Sequence, residues 1–290
     1  MGILFNSQCL QCHFNKNLQT ARELGTDEQA MEFARAMMEL YLKNPQTSSA
    51  LEFGPEVNAL LSRFYGLEGD RFLEEKRASN AFVLERMDAL RRRCAAAPDP
   101  VYAGLQFSIL GNYIDFSALY GEVSFEKLEE MLDKALEMEL DREVYNALLA
   151  DLERGKDLLY LTDNAGEIGF DRIFAEAIHE RFPHLAITFC VRGGPTLNDA
   201  TREDAAAVGI PFPVIDNGNT IAGTMLKFLG QEAREALETA DVIIAKGQAN
   251  VETLLGSGYN IYFAFLVKCI RFRELFGKPK LTPMLVREKG

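Results

Sequence analysis

Several features that would assign a protein to a well-defined class are missing from this 290-residue sequence. No stretch approaches the roughly 18 consecutive apolar residues of a membrane span, and no signal peptide is visible near the start. Acidic residues outnumber basic ones, and the net charge of −12 argues against nucleic-acid or anionic-membrane binding. We therefore expect a cytoplasmic globular protein whose five cysteines, an odd number, are thiols or metal ligands.

Common motifs of nucleotide binding and nucleophilic hydrolysis are also absent. No Gly-x-Gly-x-x-Gly fingerprint follows the first predicted strand, and no Walker Gly-Lys-Ser/Thr sequence occurs. No Ser-His-Asp or Cys-His order stands out. The sequence Cys9-x-x-Cys12-His13 has the spacing of a c-type haem attachment site, but that attachment requires export. We favour packing of the N-terminus at these cysteines, with a metal clip completed by His13 as the alternative.

The sequence pattern changes near residue 155. From Asp27 to about Arg154, apolar residues recur at helical spacing and strand-like alternation is scarce. Beyond it, apolar runs at 158–161, 186–191, 212–215, 242–245 and 261–265 alternate with predicted helices at 166–181, 199–208, 223–239 and 252–256. This alternation is typical of a parallel sheet with helices on both faces. We predict an α/β protein, with an all-helical N-terminal region (1–154) and a Rossmann-like, three-layer domain with a parallel-rich sheet (155–290).

Polar residues and glycines follow four of the predicted strands, at the point where each strand ends. They are Asp163, Asn164 and Glu167; Arg192, Asn198 and Asp199; Asn217, Gly218 and Asn219; and Lys246, Gly247 and Asn250. Because the carboxyl ends of parallel strands meet at one rim, where ligands bind in such sheets, we expect these side chains to converge. Oxygen ligands favour Mg²⁺ or Mn²⁺ over zinc, and a helix N-terminus favours a phosphate.

Each of these groups also has a simpler explanation when it is taken alone. The Asp-Asn-Ala-Gly sequence is typical of a capped strand-to-helix turn, and Asn198-Asp199 is typical of a helix N-cap. Their succession on strands of one sheet favours a binding site over a series of unrelated caps.

Blocks of sequence at these positions resemble the metal-dependent damage-control phosphatase family (DUF89, ARMT-like). The blocks are Thr162-Asp163-Asn164-Ala165-Gly166-Glu167, Val191-Arg192-Gly193, Asn198-Asp199-Ala200-Thr201 and Ala245-Lys246-Gly247-Gln248-Ala249-Asn250-Val251-Glu252-Thr253. In the N-terminal half, Lys76-x-x-Ser79-Asn80 and Gly111-Asn112-Tyr113-Ile114-Asp115 agree with the same family. Cys9-x-x-Cys12 is similar to the motif of its prokaryotic branch. The resemblance spans nearly the whole chain in the right order.

The resemblance implies a catalytic site with one divalent metal, Mn²⁺ in the first place and Mg²⁺, Co²⁺ or Ni²⁺ as alternatives. Its protein ligands would be Asp163, Asn164 and Asp199. The substrate-binding residues that we predict are Glu167, Arg192, Lys246, Asn250 and Lys268. Other branches precede the lysine corresponding to Lys268 with an Arg-Thr pair, whereas this chain has Phe265-Leu266-Val267 there. Asp115 is a further candidate to line the cleft from the N-terminal side.

The function implied is a metal-dependent phosphomonoester hydrolase with a damage-control role. Its substrates would be small phosphometabolites such as sugar phosphates or phosphopantetheine-like compounds, and neither nucleic acid nor membranes are expected partners. Attack by a metal-bound water and attack by a carboxylate both stay open, and Asp199 is the candidate either for the attacking carboxylate or for orienting the water. The alternatives are a nucleotide- or cofactor-binding Rossmann-like protein without hydrolysis, and a zinc- or redox-regulated interaction protein centred on Cys9 and Cys12.

Overall fold

The N-terminal half is helical in the computed structural model, which describes residues 5–44, 49–115 and 123–288. Its helices are α1 (Ser7–Leu24), α2 (Asp27–Lys43), α3 (Gly54–Tyr65), α4 (Leu73–Ala96), α5 (Pro100–Gly111), α6 (Phe125–Asp133) and α7 (Arg142–Arg154). Short 3-10 helices occur at Ala50–Phe53 and Ala135–Glu137. Within the described ranges no strand precedes residue 157, which confirms the predicted helical region.

The second half alternates strands and helices around one sheet. The elements are β1 (Asp157–Leu161), α8 (Glu167–Arg181), β2 (Ala186–Val191), α9 (Arg202–Ala207), β3 (Val214–Asp216), α10 (Gln231–Thr239), β4 (Val242–Lys246), α11 (Gly247–Leu254), β5 (Ile261–Leu266), α12 (Ile270–Phe276) and β6 (Pro283–Glu288). The strand order is β3-β2-β1-β4-β5-β6. Neighbouring strands from β3 to β5 are parallel and β6 is antiparallel to β5, so the α/β prediction with a parallel-rich sheet is confirmed.

Two helices begin well after their predicted first residue. The helix predicted at 223–239 starts only at Gln231, because Asn219 Nδ2 donates to Phe228 O at 3.0 Å and Gly230 N donates to Asn217 O at 3.0 Å. These bonds close the preceding segment into a loop. The helix predicted at 199–208 starts at Arg202, because Thr201 and Asp204 form a capping box. The Asn198-Asp199 pair is therefore outside the helix and available for other contacts.

Other differences concern elements without a simple apolar pattern. Helix α11 begins at Gly247, directly after β4, whereas the prediction placed its start at 252. The antiparallel strand β6 was not predicted, since it starts at a proline and ends in charged residues. Helix α1 was not predicted either. It is rich in polar residues, and the Asn6 side chain caps it by accepting a bond from Cys9 N at 2.9 Å.

Helix α5 connects the two halves of the chain. Its residues from Val101 to Gly111 are buried, and it packs against α8. Glycine allows this close approach, because a Cβ atom at Gly104 would lie 2.9 Å from Phe174 Cα. One cluster of buried apolar side chains extends from α4 and α5 across the predicted boundary at 154/155 to β1 and α8. The end of α5 is thereby held against the carboxyl ends of the strands.

Helices α1 to α3 surround a smaller core of their own, which includes Phe33, Met37 and Leu61. His13 belongs to this region: its Nδ1 lies 2.8 Å from Tyr41 Oη, and burial lowers the pKa of His13 to about 4. Cys9 is partly buried and Cys12 is exposed. The His13 ring is thus bonded within the small core, and a metal clip at these cysteines stays a prediction.

No helix in the described part of the chain is long and apolar enough to cross a membrane.

Candidate functional site

The predicted site residues lie where the sheet changes direction. Strand β1 has β2 on one side and β4 on the other, so the connections leaving β1 and β4 run to opposite sides. In open α/β sheets this point leaves a crevice at the carboxyl ends of the strands, where ligands bind. Asp163 and Asn164 follow β1 there, and Gly247 follows β4.

The turn after β1 brings three polar side chains together. Asn164 Nδ2 donates to Asp163 Oδ2 at 2.9 Å and to Glu167 Oε2 at 2.7 Å. The backbone N–H of Asn164 also donates to Glu167 Oε2, at 3.2 Å. Glu167 is fully buried, and the exposed fractions of Asp163 and Asn164 are only 5% and 2%. This turn is a closed polar cluster in which Glu167 supports Asn164.

Asn112, at the end of α5, joins this cluster from the N-terminal half. Its Nδ2 donates to Asp163 Oδ2 at 2.9 Å and to both Glu167 oxygens, at 3.0 and 2.9 Å. Its Oδ1 accepts from the N–H of Leu266 at 3.1 Å, at the end of β5. The sequence marked Gly111-Asn112 only as part of a family match, and nothing in it indicated that this amide joins three elements.

The turn after β2 adds Asn198 and Asp199. Asn198 Nδ2 donates to Asn164 Oδ1 at 2.9 Å, and Asn164 and Asp199 form an antiparallel bridge between the two turns. Arg192 is almost fully buried, and its Nε donates to Asp199 Oδ2 at 2.6 Å. The structure therefore brings together Asp163, Asn164 and Asp199, the three residues implied as metal ligands.

Lys246 lies beneath this layer with its ammonium group fully buried. Its Nζ lies 2.8 Å from Glu167 Oε1, 3.2 Å from Asp171 Oδ1 and 2.8 Å from Ser108 O. Burial opposes the charged form, but the charges of Asp171 and Glu167 raise the pKa of Lys246. The sequence analysis missed Asp171, although its position one helical turn after Glu167 on an otherwise apolar face was a usable sign.

Asn250 and Lys268 approach from α11 and from the end of β5. Asn250 Nδ2 donates to Thr162 O at 3.1 Å and to Lys246 O at 2.7 Å, and its Oδ1 accepts from Thr224 Oγ1 at 2.7 Å. Lys268 Nζ lies 2.6 Å from Asp115 Oδ2. Asp115 therefore reaches the rim from the N-terminal half, as the sequence suggested, and it does so as the partner of Lys268.

The ionisable side chains of this cluster do not balance in charge. The carboxylates are Asp115, Asp163, Glu167, Asp171 and Asp199, and the cations are Arg192, Lys246 and Lys268. Counted over the described residues, two carboxylates are thus in excess. No ion pair within these residues involves Asp163, whereas Asp199 pairs with Arg192 and Asp115 pairs with Lys268.

A divalent cation fits this arrangement. Burial, followed by the charges of Glu167 and Asp199, raises the pKa of Asp163 well above its usual range. Burial also raises the pKa of Asp199 to about 6, in spite of Arg192. The buried Oδ1 of Asn198 has no hydrogen-bond partner within the described residues. Electron-rich oxygens and uncompensated negative charge are what a hard divalent cation binds in proteins.

The implied ligand set consists of two carboxylates and one amide. In the described part of the chain, no group of three or more His, Cys, Asp or Glu side chains is arranged to hold a metal ion. Asn164 is accordingly essential to the set that we consider, since it supplies the third oxygen.

Gly247 lies directly against the site and leaves no room for a side chain there. Its φ is +76°, and a Cβ atom there would lie 1.9 Å from Asp163 Oδ2. We expect Gly247→Ala to displace the Asp163 carboxylate and to lower any affinity of the site for Mn²⁺ by about tenfold or more, which titration calorimetry would measure.

Gly258→Ala is the matched control for this prediction. Gly258 also has a positive φ, of +86°, but no atom lies within 4 Å of the position that a Cβ atom would take there. Both substitutions impose a backbone strain of roughly 1–2 kcal/mol. Only the methyl group added at position 247 would collide with Asp163. Equal Mn²⁺ affinities in the two variants would contradict the prediction.

Comparisons with known proteins point to one family. Residues 5–282 match the family described as "Damage-control phosphatase ARMT1-like domain". The chain is 33% identical over 291 residues to the damage-control phosphatase PH1575 of Pyrococcus horikoshii, with 97% of each chain covered. It is 30% identical over 275 residues to a damage-control phosphatase of Archaeoglobus fulgidus, covering 90% of this chain and 91% of that one.

A solved structure has the same fold over the whole chain. The crystal structure of a DUF89 family protein from P. horikoshii matches with a TM-score of 0.83 and 31% sequence identity, and 99% of each chain is covered. The family match, the similar sequences and the shared fold all extend over nearly the full length. The chain therefore belongs to the damage-control phosphatase ARMT1-like (DUF89) family.

Proposed function

We propose that this protein is a metal-dependent phosphatase that hydrolyses small phosphorylated metabolites, such as sugar phosphates or phosphopantetheine-like compounds. Two of its relatives are named damage-control phosphatases, which supports the reaction class and the damage-control role. The observation that carries the metal dependence is the excess of two buried carboxylates around Asp163. A buried charge excess of this kind requires a cation or protons to neutralise it.

In this proposal Asp163, Asn164 and Asp199 hold the metal, with Mn²⁺ as the first candidate and Mg²⁺, Co²⁺ and Ni²⁺ as alternatives. When bound there, a divalent cation supplies positive charge that stabilises the phosphoryl oxygens as the P–O bond breaks. Arg192 holds Asp199 through its 2.6 Å bond, and Asn198 donates to Asn164 Oδ1 at 2.9 Å, so both ligands are oriented before a substrate arrives.

The substrate phosphate would bind between Lys268 and the first turn of α11. Lys268 Nζ lies 2.6 Å from Asp115 Oδ2 and would exchange that carboxylate for the phosphate. The first turn of α11 begins at Gly247, against Asp163, and the amides at a helix N-terminus favour an anion. The positive end of this helix and one lysine would then neutralise charge on the phosphoryl group.

The other predicted substrate-binding residues would act through their protein partners. Lys246 supports Glu167, and Arg192 supports Asp199. Asn250 bonds to Thr162 O and Lys246 O, and so joins the ends of β1 and β4. Direct contact of Glu167, Arg192, Lys246 and Asn250 with a substrate stays a prediction, as do both routes of attack on phosphorus.

The experiment that tests the function is an assay of the protein stripped of metal with EDTA. Mn²⁺, Co²⁺, Ni²⁺ and Mg²⁺ are added in turn, and phosphate release is measured from p-nitrophenyl phosphate and a panel of sugar phosphates. We expect no release without metal and restored release with at least one ion. A folded protein that is inactive with every ion, yet stabilised against heat by a nucleotide in the absence of metal, would favour the binding-protein alternative.

A further inference from the structure

Two buried polar side chains on α4, Lys76 and Asn80, lie outside the site. Asn80 contacts the turn of Asp163 and Asn164, and both side chains contact Asp204, at the start of the helix that follows Asp199. Lys76 and Asn80 are one helical turn apart, and their exposed fractions are only 3% and 5%. Burying an ammonium and an amide costs free energy unless both are fully paired. Their partners therefore indicate what this pair holds in place.

Asn80 uses both ends of its amide. Its Oδ1 accepts from the backbone N–H of Gly166 at 2.8 Å, and its Nδ2 donates to Asp204 Oδ1 at 2.9 Å. Gly166 belongs to the turn of Asp163 and Asn164, immediately before α8. Asp204 lies in the first turn of α9, just after Asp199. One side chain thus spans the two turns from behind.

Lys76 secures the same aspartate. Its Nζ lies 2.8 Å from Asp204 Oδ2 and 3.0 Å from Asp70 Oδ2. Burial opposes the charged form, but Asp204 and Asp70 raise the pKa of Lys76, so the ammonium stays charged. Asp204 Oδ2 also accepts from Thr201 N at 2.9 Å and from Thr201 Oγ1 at 2.8 Å. Asp204 is consequently held from both sides, at the residues that follow Asp199.

The direct backbone bonds between the two turns are few. Ala165 N donates to Asn198 O at 2.9 Å, and Ala200 N donates to Asp163 O at 2.8 Å. One further bond joins the turns through side chains, from Asn198 Nδ2 to Asn164 Oδ1 at 2.9 Å. A connection from behind would hold the turns at a constant separation when no cation is present.

We propose that Lys76, Asn80 and Asp204 form a positioning clamp that sets the separation of the Asp163–Asn164 turn from the Asp199 turn, and thereby the affinity for the metal. The metal part of this inference rests on the proposed function. Residues behind metal ligands commonly change metal affinity by about 10–100-fold when they are replaced. None of the three clamp residues is itself assigned as a ligand or a substrate contact.

The test reverses the polarity of one hydrogen bond. Asn80→Asp keeps an acceptor for Gly166 N–H but places a carboxylate against Asp204, which pushes the two turns apart. Asp204→Asn added to it restores a donor and an acceptor in the opposite direction, with the same total charge. We expect Asn80→Asp to weaken Mn²⁺ binding by about tenfold or more, and the swapped double variant to return within about threefold of the native affinity, by titration calorimetry.

Tyr145→Phe is the control for a general loss of stability. Tyr145 is buried, and its hydroxyl donates to Asp99 Oδ2 at 2.8 Å, in α7 and away from the rim. We expect this variant to be destabilised through one lost buried hydrogen bond while its Mn²⁺ affinity stays unchanged. An Asn80→Asp variant that is folded and binds Mn²⁺ like Tyr145→Phe would overturn the proposal. If Asn80→Asp does not fold, a folded swap variant with native affinity supports the clamp, and one at least tenfold weaker overturns it.

Amide hydrogen exchange of the metal-free protein separates the clamp from the proposed function. We expect faster exchange at Gly166 and Thr201 in Asn80→Asp and near-native exchange in the swapped variant, while Tyr145→Phe leaves both amides protected. If the native chain binds no metal while the variants show this exchange pattern, the proposed function is wrong and the structural role of the clamp stands. Unchanged exchange at both amides in Asn80→Asp would remove the clamp itself.

Discussion

Asp163→Asn is expected to lower kcat/KM for p-nitrophenyl phosphate by about a thousandfold or more while leaving the metal-free protein at least as stable as the native chain. A bound metal contributes several kcal/mol to transition-state stabilisation, and each 1.36 kcal/mol corresponds to about a factor of ten in rate. The amide removes one of the two carboxylates of the implied ligand set. An asparagine oxygen still accepts from Asn112 and Asn164, which both donate to Asp163 Oδ2 at 2.9 Å.

The stability part of this prediction follows from charge. Burial and the neighbouring carboxylates raise the pKa of Asp163, so its ionised form is unfavourable in the folded protein without a cation. A neutral amide removes that cost, and the thermal midpoint of the metal-free variant should equal or exceed the native value.

Asp241→Asn is the control, because Asp241 is exposed and accepts bonds from Lys156 and Asp157 at the opposite end of the sheet. An Asp163→Asn variant that keeps activity within tenfold of Asp241→Asn would contradict the metal role.

Lys246→Met is expected to reduce the free energy of unfolding by about 3–5 kcal/mol. The ammonium lies between Glu167 and Asp171, and all three side chains are fully buried. Removing it leaves two buried carboxylates without a cation, and a methionine of similar length leaves no large cavity. Urea denaturation at neutral pH would measure the loss.

The pH dependence of this loss has a definite sign. Burial already raises the pKa of Asp171 to about 6 although Lys246 opposes the shift, so its removal should raise that pKa further. The folded variant then binds a proton that the unfolded chain has released, and stability is lost as pH rises through this range. We expect the loss of stability to be larger at pH 8 than at pH 5.

Lys227→Met is the control for the loss of an ion pair. It breaks a partly exposed ion pair with Glu52 and should cost less than about 1 kcal/mol. An equal cost in both variants would show that the buried charges are neutralised in another way.

The strands, and the rim shared by the residues that follow them, were predictable from local sequence. Apolar runs at β1, β2, β4 and β5 give nearly the observed strand bounds, because fully buried parallel strands need continuous apolar residues. Once these strands are parallel, the residues that follow them must share one rim. Asp163 and Asn164 after β1 and Asp199 after β2 were therefore expected at that rim, and the family resemblance alone singled them out as implied metal ligands.

Only the tertiary structure decided how the polar side chains are paired. Asn112 and Asn80 bond to residues 51 to 154 positions later in the chain, and no spacing rule connects amides on α4 and α5 with turns of the sheet. Lys246 was predicted to contact substrate, and its inward direction follows from the position of α5 and α8 beneath β4. Side-chain periodicity says which face of an element is buried, but the partner of a buried charge depends on the distance and angle between packed elements. The sequence by itself thus determined the sheet and its acidic rim, whereas packing of the helical half against that rim decided which of its charges are balanced by a partner and which are not.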